Sequence, residues 1–225
     1  MKAVGKLPWT ALVACASLAL SARAIAQEAP RPGAQEPAAS TPVSAPSWSF
    51  DVSGALYVLP GEDDFLQPVV RAHRGRLHLE TRYNYEDHDS VSFFAGAKFA
   101  FGSRVEVSLV PIIGGVVGRT DGIVPGLEAD ITVGRFEAYG EAEYVVDLGD
   151  SSSSYFYMWS ELSVWPTGWL RAGLATQRTR VYRTERDIQR GPLVGAKWKS
   201  VSGSVYWFNP GADDWVVVAS VGVSF

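Results

Sequence analysis

The sequence predicts an all-β fold: an antiparallel, up-and-down transmembrane β-barrel of about twelve strands, with ten as the lower count. Three observations carry this reading. From Trp48 onward, apolar residues recur at every second position in short segments, the period of a strand whose two faces meet different surroundings. The connections between segments alternate between tight and long. Trp, Tyr and Phe make up 12% of the 225 residues and are accompanied by 22 glycines, a composition that favours strands over helices.

The N-terminus reads as an export signal spanning residues 1–26. Lys2 and Lys6 form a basic start, Leu7 to Leu20 is mostly apolar, and Ala24-Ile25-Ala26 is a small-x-small cleavage site before Gln27. Leu12-Val13-Ala14-Cys15 resembles a lipobox, which offers lipidation at Cys15 as the alternative. The apolar run continues past Cys15 to Ala26 and suits ordinary cleavage better. Cys15 is the single cysteine, so a chain cut after Ala26 has no disulfide, thiol chemistry or cysteine-bound metal. Losing Lys2, Lys6 and Arg23 leaves 17 basic residues against 24 acidic ones, a charge near −7 that gives nucleic-acid binding no support. Residues 27–47 are rich in Pro, Ala, Ser and Glu without periodicity and read as a periplasmic tether. No later stretch approaches the ~18 apolar residues of a membrane helix.

Strands are expected at 48–58, 66–73, 76–85, 91–101, 105–117, 123–133, 136–147, 155–165, 169–177, 189–199, 203–208 and 215–225. Most approach the ~9–11 residues a tilted strand needs to cross a bilayer. One face is apolar in Leu77, Leu79, Thr81, Tyr83, Tyr85, in Val91, Phe93, Ala95, Ala97, Phe99, Phe101, and in Ile123, Pro125, Leu127, Ala129, Ile131, Val133. The intervening positions carry His78, Glu80, Arg82, Lys98, Glu128 and Asp130. Tight turns fall at Arg74-Gly75, Gly102-Ser103-Arg104, Gly134-Arg135, Pro166-Thr167-Gly168 and Ser200-Val201-Ser202. Longer polar loops separate them at 59–65, 86–90, 118–122, 148–154, 178–188 and 209–214. A membrane barrel predicts this alternation, with short turns on the periplasmic rim and long loops outside. Trp48, Tyr83, Tyr85, Trp165, Trp169, Trp198, Trp207, Trp215 and Phe225 lie near strand ends, as aromatic girdles at two interfaces would.

The last segment, from Trp215 to Phe225, has an apolar face of Trp215, Val217, Ala219, Val221, Val223 and Phe225. It resembles the C-terminal sorting strand of bacterial outer-membrane β-barrels. The resemblance is to this porin-like architectural class, over residues 48–225, and to no specific family. It implies a bacterial outer-membrane location, contact with outer-membrane lipids and lipopolysaccharide, and delivery to the barrel-assembly machinery through the strand ending at Phe225. The oligomeric state stays open.

With the apolar faces on lipid, Arg71, Glu80, Arg82, Lys98, Glu106, Glu128, Asp130, Glu141, Glu143, Arg171 and Lys197 become pore-lining candidates. His73, His78, Glu137, Asp147 and Lys199 fall on the same inward face. Such charge density requires water, an ion-pair network, or both. The Gly134-Arg135 turn sets a register that puts Glu128 opposite Glu141, a repulsive pair unless water or a cation from across the barrel (Arg82, Lys98, Arg171 or Lys197) intervenes. The loop 178–188 holds Arg178, Arg180, Arg183 and Arg186, whose guanidinium forks suit lipopolysaccharide phosphates.

The expected function is a narrow porin-like passive channel for small polar solutes or ions, not an enzyme. Two alternatives remain. His88-Asp89-Ser90 resembles the His-x-Ser pair of outer-membrane phospholipases and lipid A deacylases, which implies a serine nucleophile activated by histidine. A closed structural or adhesive barrel with partner-binding loops is the other. No metal spacing such as His-Glu-x-x-His and no Gly-rich phosphate loop is present, so no cofactor or metal is expected.

Overall fold

The chain closes on itself through the pairing of its first and last strands. The computed structural model describes residues 46–149, 153–179 and 187–225. The export signal, Cys15, most of the tether, and Arg180, Arg183 and Arg186 lie outside the described residues. The strands are β1 (Trp48–Val58), β2 (Phe65–Arg74), β3 (Leu77–Tyr83), β4 (Val91–Ala97), β5 (Phe99–Phe101), β6 (Glu106–Val117) and β7 (Gly122–Val133). They continue as β8 (Phe136–Asp147), β9 (Tyr155–Val164), β10 (Leu170–Thr179), β11 (Asp187–Trp198), β12 (Val201–Phe208) and β13 (Val216–Ser224). Apart from β4 and β5, which both pair with β6, consecutive strands pair antiparallel, and β1–β13 and β4–β6 complete a ring.

The ring has twelve crossings because β4 and β5 form one passage. Both follow one register against β6, from Gly96↔Ile112 to Phe99↔Leu109, which sets Ala97 opposite Pro111. Proline has no N–H to give the ladder, so the pairing lapses there. Pro125 does the same to β7–β8, where pairing skips from Ile123↔Val146 to Gly126↔Glu143.

The predicted turns hold near their places, but the first is Gly75-Arg76 in place of Arg74-Gly75, and the last also shifts. Gly75 and Gly134 adopt φ of 60°, which a glycine tolerates at a tight hairpin. The turn before β12 is Lys199-Ser200, with Lys199 at φ 53°, so Val201 and Ser202 already belong to the strand. Tyr85 is a second correction. Asn84 takes φ 55°, which breaks the alternation of β3 and turns Tyr85 inward instead of onto the lipid face. Trp165 is a third: its Nε1 donates to Glu137 at 3.2 Å, so it faces the lumen rim.

Outward positions form a continuous apolar exterior, with Phe93, Leu162, Leu174, Val194 and Val221 all exposed. Water around such a belt would be unfavourable by ~25 cal/mol per Å², and lipid removes that cost. Trp48, Trp169, Trp198 and Phe225 ring the short-turn end, and Tyr83 and Trp207 the long-loop end. At the seam, Phe50 and Phe225 exchange backbone hydrogen bonds of 2.7 and 2.9 Å, and their rings stack at 5.8 Å. This contact orders the last residue.

Candidate functional site

The lumen is where this barrel concentrates its chemistry, and it is packed. The register places Glu128 opposite Glu141 as the sequence predicts. The cation between them is Arg82, reaching across from β3. Its Nη1 donates to Glu141 at 3.0 Å and to Glu143 at 2.7 Å, and its Nε to Glu80 at 2.8 Å. Its Nη1 also reaches Glu86 at 3.4 Å, and Nη2 lies 3.7 Å from Glu128. The guanidinium is sandwiched between Tyr85 and Phe94, at 4.2 and 4.5 Å from the two rings. The Arg82 side chain is 0% exposed. Beside it, Arg71 pairs with Glu80 at 2.8 Å and approaches Glu128 at 3.6 Å.

A second cluster lies on the β8–β12 side. Arg171 pairs with Glu137 at 3.2 Å and Glu161 at 2.9 Å. Tyr206 and Trp159 both donate to Glu161, at 2.7 and 2.9 Å. Toward the long-loop end the inner wall turns aromatic. Tyr57, Phe65, Tyr157, Trp159, Tyr206 and Phe208 pack with Leu193, Val216 and Val218. Phe94, Val110, Ile112, Val116, Val124 and Val145 form a smaller apolar patch.

The described interior includes two openings. A vestibule of about 610 Å³ near the short-turn end is lined by residues including Ser49, Asp51, His73 and Lys98. A smaller cavity of about 230 Å³ lies between Arg71, Glu141, Glu161 and the aromatic wall.

Most pore-lining candidates are therefore brought together: Arg71, Glu80, Arg82, Glu128, Glu141, Glu143 and Arg171 share the two ion-pair clusters. Lys98 lines the vestibule. Glu106 and Lys197 are exposed, and Asp130 is half-buried. The sequence reading missed Glu161, Glu86 and the inner aromatic wall. Strand parity with Trp159 and Ser163 was available to find Glu161, whereas Glu86 enters from a loop.

Glu86 follows β3, outside the membrane-spanning strands. It accepts from Ser92 Oγ. Burial pushes its carboxyl above the ordinary range, with the Arg82 charge pulling the other way. A group with a raised folded-state value binds its proton more tightly when folded. Its contribution is present in acid and lost as pH rises through that raised value. Glu86→Gln is expected to raise the urea midpoint at neutral pH, with the gain vanishing below the ordinary carboxylate range. Denaturation at pH 7 and pH 4 checks this.

The Ser90 hydroxyl is engaged by backbone groups. Ser90 Oγ donates to the His88 backbone carbonyl at 3.3 Å and accepts from Arg119 and Thr120 N–H groups at 3.1 and 3.3 Å. Ser90 is fully buried, and the His88 ring packs on Phe65 at 4.5 Å. Arg178 is exposed on the outward face of β10, 5.6 Å over the Phe156 ring.

A closed antiparallel barrel with an apolar exterior and a charged interior has the architecture of a transmembrane β-barrel. Among solved structures, the chain is similar to a KdgM porin at 13% identity and a TM-score of 0.55, over 78% of this chain and 98% of that one. It is also similar to the KdgM porin in complex with disordered oligogalacturonate, at 13% identity and a TM-score of 0.52, over the same shares. At such identities the likeness is one of fold. No protein-family model and no curated protein matches the chain.

Proposed function

We propose that this chain is a narrow porin-like passive channel that favours small cationic or uncharged polar solutes. The observation that carries this reading is the charge imbalance of the lumen. Three guanidiniums, those of Arg71, Arg82 and Arg171, pair with seven carboxylates: Glu80, Glu86, Glu128, Glu137, Glu141, Glu143 and Glu161. A cleft of one sign with low-dielectric walls enriches the opposite ion and repels its own. A polyanion such as the oligogalacturonate with which the KdgM porin is in complex would be repelled here.

Planar-bilayer recording of the mature protein, refolded in detergent, tests the proposal. Small discrete steps with a cation-selective reversal potential are expected, and Glu128→Gln/Glu141→Gln should lower that selectivity. An unchanged permeability ratio would remove the acidic wall from the selectivity. Silence from folded, inserted protein would overturn the channel and leave a closed barrel with partner-binding loops.

Lipopolysaccharide docking is part of the same reading, because Arg178 presents its charge at the outer rim over an aromatic ring. Changing Arg178, Arg180, Arg183 and Arg186 to Gln is expected to abolish a lipopolysaccharide-dependent thermal shift. An unchanged shift would sink the docking site.

A further inference from the structure

We infer that His78, Glu80 and Glu128 form a divalent-metal site of zinc-like preference inside the barrel, bridging β3 and β7 and reached from the vestibule. One ligating atom of each residue lies within 4.8 Å of the other two, and all three residues are buried. His78 Nε2 is 3.1 Å from Glu80 Oε2. Two ligands on a tetrahedral metal with bonds of ~2.0–2.2 Å are separated by about 3.3 Å, so this edge is already near its bound length. Small side-chain adjustments would bring Glu128 into place.

The polar groups themselves ask for a further partner. Glu128 Oε1 is buried without a hydrogen bond. The guanidinium nitrogens near Glu128 Oε1 are 3.6 and 3.7 Å away. Glu80 keeps Oε1 on Arg71 and Arg82, at 2.8 Å each, while Oε2 faces His78 and, at 3.3 Å, Arg82 Nη2.

Charge points the same way. Arg71 and Arg82 together meet five carboxylates, those of Glu80, Glu86, Glu128, Glu141 and Glu143. Carboxylates outnumber guanidiniums by three in this buried cluster, where uncompensated charge is costly. A divalent cation removes most of that excess, and the imidazole nitrogen beside the two hard carboxylates is the donor that suits zinc over magnesium.

Access is built in. His73 lines the vestibule, and its ring stands edge-on to His78 at 4.9 Å. His73 Nδ1 is also without a hydrogen-bond partner, and Asp51 lies 3.4 Å from its Nε2. An incoming cation would meet a carboxylate, then one imidazole, then the next. The sequence conceals the site because two ligands alternate on one strand and the third comes from another; no short spacing contains them.

Zinc binding to the refolded full mature chain in detergent tests the inference without any need for conduction. One zinc per chain should survive dialysis, and the thermal midpoint should climb with the logarithm of free zinc, with no such response to magnesium. His78→Ala should abolish both readouts, and Glu128→Gln should weaken binding by more than about tenfold. Heat-modifiable gel mobility establishes that each variant is folded; if His78→Ala does not fold, Glu128→Gln carries the test. A midpoint indifferent to zinc, or retention unchanged in the folded variants, overturns the site. Binding without channel activity would count against the porin reading alone.

Discussion

Replacing Arg82 with methionine is expected to cost the folded barrel about 3–5 kcal/mol, the scale for removing one partner of a buried ion pair. The wild-type side chain is held by hydrogen bonds to Glu80, Glu141 and Glu143 and by two aromatic faces. Methionine retains part of the packing against Tyr85 and Phe94 but leaves those carboxylates in a buried site without their shared cation. Urea unfolding in detergent at neutral pH should show the loss directly. A midpoint within experimental error of wild type would mean that water already carries these charges. In a bilayer, the same variant should increase unit conductance, because the guanidinium is the largest group crossing this part of the lumen. Unchanged conductance would place the ion path elsewhere.

The second large effect is expected at Trp159. Its ring meets Tyr206 at 5.1 Å and Phe208 at 5.4 Å, and its Nε1 donates to Glu161 at 2.9 Å. Trp159→Ala removes the centre of the aromatic wall, at about 3–5 kcal/mol for a large buried ring. It also takes a hydrogen bond from Glu161, which keeps Tyr206 and Arg171. The cavity of about 230 Å³ beside it should merge with the vacated volume, so a larger conductance is expected despite lower stability. Trp159→Phe should restore much of the stability without the hydrogen bond, which separates packing from polarity.

The strand pattern was legible because each strand exterior must be apolar to face lipid, and parity then assigns the opposite side. That logic located Glu128 opposite Glu141 and set Arg82 and Arg171 inward. It could not choose among Arg82, Lys98, Arg171 and Lys197 as the cation between the two glutamates, since that depends on distances across the lumen. It also stalls where both faces of a strand are apolar. In β9, Phe156 and Met158 face out while Tyr157 and Trp159 face in, and nothing local marks Trp159 as interior rather than interfacial. Tyr85 was misassigned for a local reason, because Asn84 in the left-handed region shifts the parity by one step. Arg180, Arg183 and Arg186 lie outside the described residues, so the docking expectation rests on Arg178 among them.

The seam between β1 and β13 joins the two most distant parts of the barrel sequence, pairing Asp51 with Ser224 and Val58 with Val217. Every other neighbouring pair can form as a local hairpin, but this one waits for the whole intervening chain to be organised. Closing so long a loop has its entropic cost before any compensating contact is made, so the seam is the costliest pairing of the barrel to form. Until that moment β1 and β13 are open edges with unpaired backbone groups. The final strand thus converts a sticky, unfinished sheet into a structure with no edge to offer.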